Sequence, residues 1–208
     1  MKIRRILFLL PFALFSCKDV EDKASESITN AVIEKSLEQA GIATENVERA
    51  NKNEAQVELS LEGKNLFEKD VFTGIVNVTD RMIVFSLDSE NDDAKINITF
   101  SGLSNMLENK PIKGICEQGK LDPKDLNGTA VSLLFAKENE FSFNFYNGEI
   151  TIKKFLEDEI ELSISGKVGT FVEANDTSAW KQIEGIIKIQ YPIINRIKVS
   201  KEQLYYNN

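Results

Sequence analysis

Histidine is absent from all 208 residues. That absence removes the commonest general base and metal ligand, and with them every Ser-His or Cys-His nucleophile pair. Cysteine occurs only at Cys17 and Cys116, too few for a framework of several disulfides. Basic residues number 25 against 33 acidic ones, a formal charge of −8. This balance opposes the basic face that nucleic acid or an anionic lipid surface would need. A membrane-spanning helix needs about 20 apolar residues; the N-terminal apolar run reaches only from Ile6 to Phe15 and contains Pro11. A phosphate-cradling glycine loop, a dinucleotide fingerprint and Ser/Lys nucleophile motifs are also missing, so no cofactor is expected.

What is present begins with an address. Lys2, Arg4 and Arg5 precede the short apolar run, which has the length of a signal-peptide core. The run ends at Leu14-Phe15-Ser16-Cys17, an aliphatic residue, a tolerant position, a small residue and a cysteine. This resembles the lipobox of bacterial lipoproteins, with Phe15 bulkier than the usual second residue. The resemblance implies cleavage before Cys17 and acylation of Cys17, with residues 1–16 as signal peptide. Two acyl chains give stable anchoring where one does not. Lys18-Asp19-Val20-Glu21-Asp22 is similar to the Lys-plus-acidic signal that sends some lipoproteins to the outer face of the outer membrane; a solvated tether over residues 17–26 is the plainer reading. Loss of Lys2, Arg4 and Arg5 leaves 22 basic residues against 33 acidic ones, a mature charge of −11.

Residues 27–208 read as a single β-rich domain. Ile28, Val32, Ile33, Leu37 and Ala40 share one face of a helix predicted over 25–40, capped by Ser25 or Ser27 and stopped by Gly41. From Gln56 the period becomes two. Strands are predicted around Val57, Leu59 and Leu61; over 72–78; around Ile83, Phe85 and Leu87; around Ile96, Ile98 and Phe100; and around Val131, Leu133 and Phe135. Leu103, Met106 and Leu107 suit a helical turn before Pro111. Phe141, Phe143 and Phe145 form a stripe ending at Asn147-Gly148, a pair that favours a type I′ hairpin turn. That turn would pair Phe145 with Ile150 and Phe143 with Ile152. Glu157-Asp158-Glu159 turns the chain into Ile160, Leu162 and Ile164, and Ile183 to Tyr191 forms the last long strand, with Tyr191 facing the core. The expected fold is mainly β: an antiparallel sandwich or open barrel of about 8–10 strands with one N-terminal helix. The segment from Gly148 to Gly166 also resembles small all-β outer-membrane lipoproteins of uncharacterised function.

Candidate chemistry is sparse. Asp88-x-Glu90-x-Asp92 supplies oxygen ligands of the kind Ca²⁺ takes, but Asp93 and Thr99 stand where an EF-hand needs Gly and Glu, so a solvated hairpin loop is expected and no metal. Adjacent Glu157, Asp158 and Glu159 lack the across-substrate geometry of a carboxylate glycosidase. Cys116 reads as a small buried residue rather than a reactive thiol. Among the aromatics, Trp180, Tyr146, Tyr191, Tyr205 and Tyr206 are candidates for contact, and Trp180 in its loop is the fairest one. The Phe stripe reads as core, with a cavity for an apolar ligand as the alternative. The expectation is therefore a non-enzymatic binding or accessory lipoprotein of the outer membrane. It would be held by acylated Cys17, contact a protein or glycan partner through Trp180, and leave nucleic acid alone. The alternatives are a carrier of lipid or another apolar ligand and a carboxylate-dependent hydrolase.

Overall fold

Alternating apolar residues build a single curled sheet. The computed structural model describes residues 52–206 except 68–69, 91–93, 121, 125, 127 and 138–141. All of these belong to the compact unit Gly41–Asn208. The signal peptide, Cys17, the tether, the predicted helix over 25–40, Phe141 and Asp92 lie outside the described residues.

Eleven strands are hydrogen-bonded into one mixed sheet. They are β1 (Glu54–Leu61), β2 (Lys64–Asn65), β3 (Phe72–Val78), β4 (Met82–Ser89), β5 (Ala94–Ser101), β6 (Lys113–Glu117), β7 (Thr129–Lys137), β8 (Phe143–Phe155), β9 (Glu159–Thr170), β10 (Lys181–Gln190) and β11 (Ile193–Arg196). The long strands pair antiparallel in the order β3-β4-β5-β7-β8-β9-β10-β1. The circuit meets itself at one residue pair, Ala55 with Phe72. Asn53 extends that seam, accepting from the Gly74 N–H at 3.0 Å and donating to the Gly74 carbonyl at 2.9 Å. Below it β11 pairs parallel with β3, from Ile193–Ile75 to Arg196–Val78. A second seam opens between β7 and β8, which pair directly only at Leu134–Asn144 and Phe135–Phe143. There β6 wedges in, parallel to β7 and antiparallel to β8. The mainly β architecture is as expected, and the short strands β2, β6 and β11 are additions to the predicted set. The two parallel pairings depart from a purely antiparallel meander.

The interior is built from the inward half of each alternation. Phe85 lies 6.0 Å from Phe100 and 6.2 Å from Phe155, all three fully buried. One end is closed by Phe67, edge-on to Phe72 at 5.4 Å and to Phe135 at 6.2 Å, with Phe143 stacked on Phe135 at 5.1 Å. At the other end a helical turn over Met106–Glu108 and a one-turn helix, Lys201–Leu204, bring Met106, Leu107 and Leu204 inward. Tyr206 fastens this end: its hydroxyl donates to the Ile152 carbonyl at 2.9 Å and accepts from the Ile112 N–H at 2.8 Å. Burial pushes that phenol up to about 12. Tyr205 and Tyr206 are thus half-buried structural groups. Tyr191 is not in the strand alternation either. β10 ends at Gln190 and Tyr191 takes a left-handed φ of 48°, which swings its side chain out of the inward row and leaves it half-buried.

The expected hairpin at Asn147-Gly148 is not formed. β8 runs straight through both residues, and Phe145 and Ile150 pair across β9 with Val168 and Ile164. The alternation slips because the register shifts between Phe145 and Asn147 and again between Ile152 and Lys154. Each bulge adds one residue, so Phe145, Ile150, Ile152 and Phe155 all face inward despite their odd spacings. Gly148 is needed for a different reason. Its φ is 135°, and a Cβ there would run into the Gly166 Cα and the Ser165 carbonyl. A Cβ on Gly166 would meet the Asn147 carbonyl and the Phe145 ring, which lies against both glycines. The reversal itself is at Glu157-Asp158, where the Leu156 N–H donates to the Glu159 carbonyl at 2.8 Å. Paired positive φ values, 51° and 75°, occur instead at Glu62-Gly63 between β1 and β2.

The bulge and the hairpin make opposite demands on substitution. With the bulge, Gly166→Ala is expected to cost roughly 2–4 kcal/mol in urea unfolding, through overlap with fixed backbone and a buried ring. Asn147→Ala is expected to stay within about 1 kcal/mol, since only Gly148 of the pair has positive φ. A large loss at Asn147 and none at Gly166 would restore the hairpin.

Candidate functional site

The β9–β10 connection, residues 171–180, carries the least expected surface on the domain. Phe171 is 84% exposed and Val172 88% exposed. Burying either side chain would be worth about 1.5–3 kcal/mol. Their exposure is held in place by a heavily cross-braced loop.

The bracing starts with Thr170-x-x-Glu173, a capping box. The Glu173 Oε2 accepts from the Thr170 N–H at 2.6 Å and from the Thr170 hydroxyl at 2.9 Å. These bonds hold the Glu173 carboxyl below the usual carboxylate range. Asp176 Oδ1 then accepts from the Ser178 N–H at 3.1 Å and from its hydroxyl at 2.5 Å, which lowers Asp176 in the same way. Backbone bonds close the turn: Asp176 N–H to Glu173 carbonyl at 2.9 Å, and Ala179 N–H to Asp176 carbonyl at 3.0 Å. Gln118, just beyond β6, donates its side-chain amide to the Ala174 carbonyl from outside the loop.

Trp180 belongs to this bracing. Its indole N–H donates to the Glu173 carbonyl at 3.1 Å, and its ring stacks on Tyr146 at 5.2 Å and 27°. The Tyr146 hydroxyl donates to the Thr170 carbonyl at 2.9 Å. Desolvation first, and the negative charge of Glu173 second, push the Tyr146 phenol up. Gly169 seats the pair, since a Cβ there would stand 3.2 Å from both Trp180 Cδ1 and Tyr146 Cε2. Tyr146 reaches this position because it is the extra residue of the first β8 bulge. Trp180 is therefore half-buried and supports the loop, while Phe171 and Val172 are its exposed tips. Neither tip lies in a periodic stretch of the sequence. The legible signal was Thr170-x-x-Glu173 enclosing two apolar residues.

Other candidates resolve into structural roles. Asp88 pairs with Lys95 at 3.3 Å and Glu90 with Lys52 at 2.6 Å, on exposed surface. Among the described residues, no three His, Cys, Asp or Glu side chains gather as metal ligands. Glu157 pairs with Lys201 at 2.8 Å and Glu159 with Lys154, both at the β8–β9 turn. Cys116 is buried with its Sγ 3.2 Å from the Phe145 carbonyl, and burial pushes its thiol up to about 11, away from reactivity at neutral pH. Comparison with known proteins finds no matching family model, no similar curated protein and no similar solved structure.

The bracing has a pH signature. Glu173 and Asp176 are held below their ordinary values, so their contribution is complete above the ordinary carboxylate range and fades as pH falls through the lowered values. Trp180 is the single tryptophan and bonds directly to Glu173. Its emission is expected to change on acidification before global unfolding, and Glu173→Gln is expected to remove most of that change. An identical titration in the variant would mean that the carboxylate does not hold the loop.

Proposed function

We propose that this protein is a lipid-anchored lipoprotein of the outer membrane that acts as a non-enzymatic binding or accessory module, with residues 171–180 as its contact with a protein partner. The observation that carries this reading is the exposure of Phe171 and Val172 on a loop braced by hydrogen bonds. A small apolar anchor, pre-organised and ringed by hydrogen-bonded polar groups, is the pattern of a protein contact, because little ordering entropy remains to be lost on binding. The lack of histidine in the whole chain supports a binding role over catalysis. The interior positions carry Phe72, Phe85, Phe100 and Phe155, fully buried and filled by their own rings, which favours a binder over a carrier of apolar ligands. Anchoring at Cys17 rests on Leu14-Phe15-Ser16-Cys17 and the short basic and apolar leader.

The test is made on the full chain in its native membrane. A photoreactive phenylalanine analogue at Val172 is expected to yield a discrete protein adduct that Phe171→Ser abolishes without altering the unfolding midpoint. Labelled palmitate is expected in the same chain and not in Cys17→Ala. Adducts with lipid alone would overturn the protein contact, and palmitate in the Cys17→Ala chain would overturn the anchor.

A further inference from the structure

A second surface, separate from the loop tips, lies on the outer face of β6, β8 and β9. It is a trough of about 600 Å³. Its floor is low because β9 presents only Ser163 and Ser165 outward there, opposite Thr151 and Glu149 of β8. Outward side chains of β6 and β8 form the wall: Lys113 across from Thr151, Ile115 from Glu149, and Glu117 from Asn147.

The chemistry of the wall is balanced. Lys113 pairs with Glu149, which also accepts from the Thr151 hydroxyl at 3.0 Å; Lys120 pairs with Glu117. An ionic ligand would have to break one of these pairs. A peptide would find no open backbone edge, since β8 is hydrogen-bonded on both sides, and only one outward apolar side chain, Ile115, to receive its own. A neutral, hydroxyl-rich ligand meets neither obstacle. Its hydroxyls can donate to the outer lone pairs of Glu149 and Glu117 and accept from Asn147, Lys113, Ser163 and Ser165. The outward row of β9 continues through Lys167 to Gly169, where the Tyr146–Trp180 pair rises, roughly 20 Å from Ser163 at strand rise. That is an extended site with an aromatic edge at one end.

We infer that this trough binds a neutral oligosaccharide along β9, with Asn147, Glu149, Ser163 and Ser165 as its hydrogen-bonding contacts. The site is independent of Phe171 and Val172.

Calorimetric titration of the detergent-solubilised full chain with maltohexaose, cellohexaose, xylohexaose and mannohexaose tests it, with a heparin-derived hexasaccharide as the charged comparison. At least one neutral chain is expected to bind saturably below about 10 mM. Ser165→Phe, on an exposed strand position, is expected to weaken that binding at least about tenfold while leaving the unfolding midpoint unchanged. Phe171→Ser is expected to leave it untouched. Failure of all four neutral chains, binding of the charged chain alone, or unaltered binding in Ser165→Phe would overturn the inference; should Ser165→Phe unfold, Ser163→Gln serves as the blocking variant.

Discussion

The contact of the Phe145 ring with the bare backbones of Gly148 and Gly166 organises this domain. Two glycines face each other across β8 and β9, and the ring of a residue three positions away covers the gap from inside. Glycine in a strand loses chain entropy and offers no side chain to pack, so an aromatic ring laid over it restores what the strand lacks. The bulge beside it increases local twist and bends the sheet, as closure of a curled sheet requires. Without the extra residue, Phe145 and Ile150 would face opposite sides, and one of them would leave the core.

The same bulge places the outer features. Tyr146, the inserted residue, points outward beside Gly169 and takes the Trp180 ring, which ties down the loop bearing Phe171 and Val172. On the other flank, the small outward side chains Ser163 and Ser165 of β9 leave the trough open beneath the wall from β6. The wedge strand β6 sits where β7 and β8 part, so the wall and the floor come from segments distant in the chain. Both surfaces thus flank one bulge whose neighbouring glycines are covered from the interior.

Much of the sheet was legible in the sequence because burial on one face imposes a period of two. β3 matches the predicted span 72–78, and the inward rows of β4, β5 and β7 fall on the residues chosen for them. The errors came where that period is broken or too short to see. Asn147-Gly148 looked like a turn because a glycine with positive φ serves a strand position beside a bulge as well as a turn, and the nearby shift in parity imitated a reversal. β6 and β11 have five and four residues, so their alternation was too brief to separate from loop. The bracing role of Trp180, with a backbone acceptor at 3.1 Å and Tyr146 stacked on it, depends on residues distant in the chain and leaves no local pattern. Exposure of Phe171 and Val172 follows from the Thr170–Glu173 cap, which turns the chain before either side chain can fold back.

A binding role for Phe171 and Val172 requires that both tips be held in place before any partner arrives. Native-state hydrogen exchange of the isolated protein at neutral pH tests that most directly. The amides of Thr170, Asp176, Ser178 and Ala179 are all bonded within the loop. They are expected to exchange well below free-peptide rates, by at least about a hundredfold, through openings distinct from global unfolding. Exchange of those amides at free-peptide rates, with the β9 and β10 amides still protected, would contradict the account.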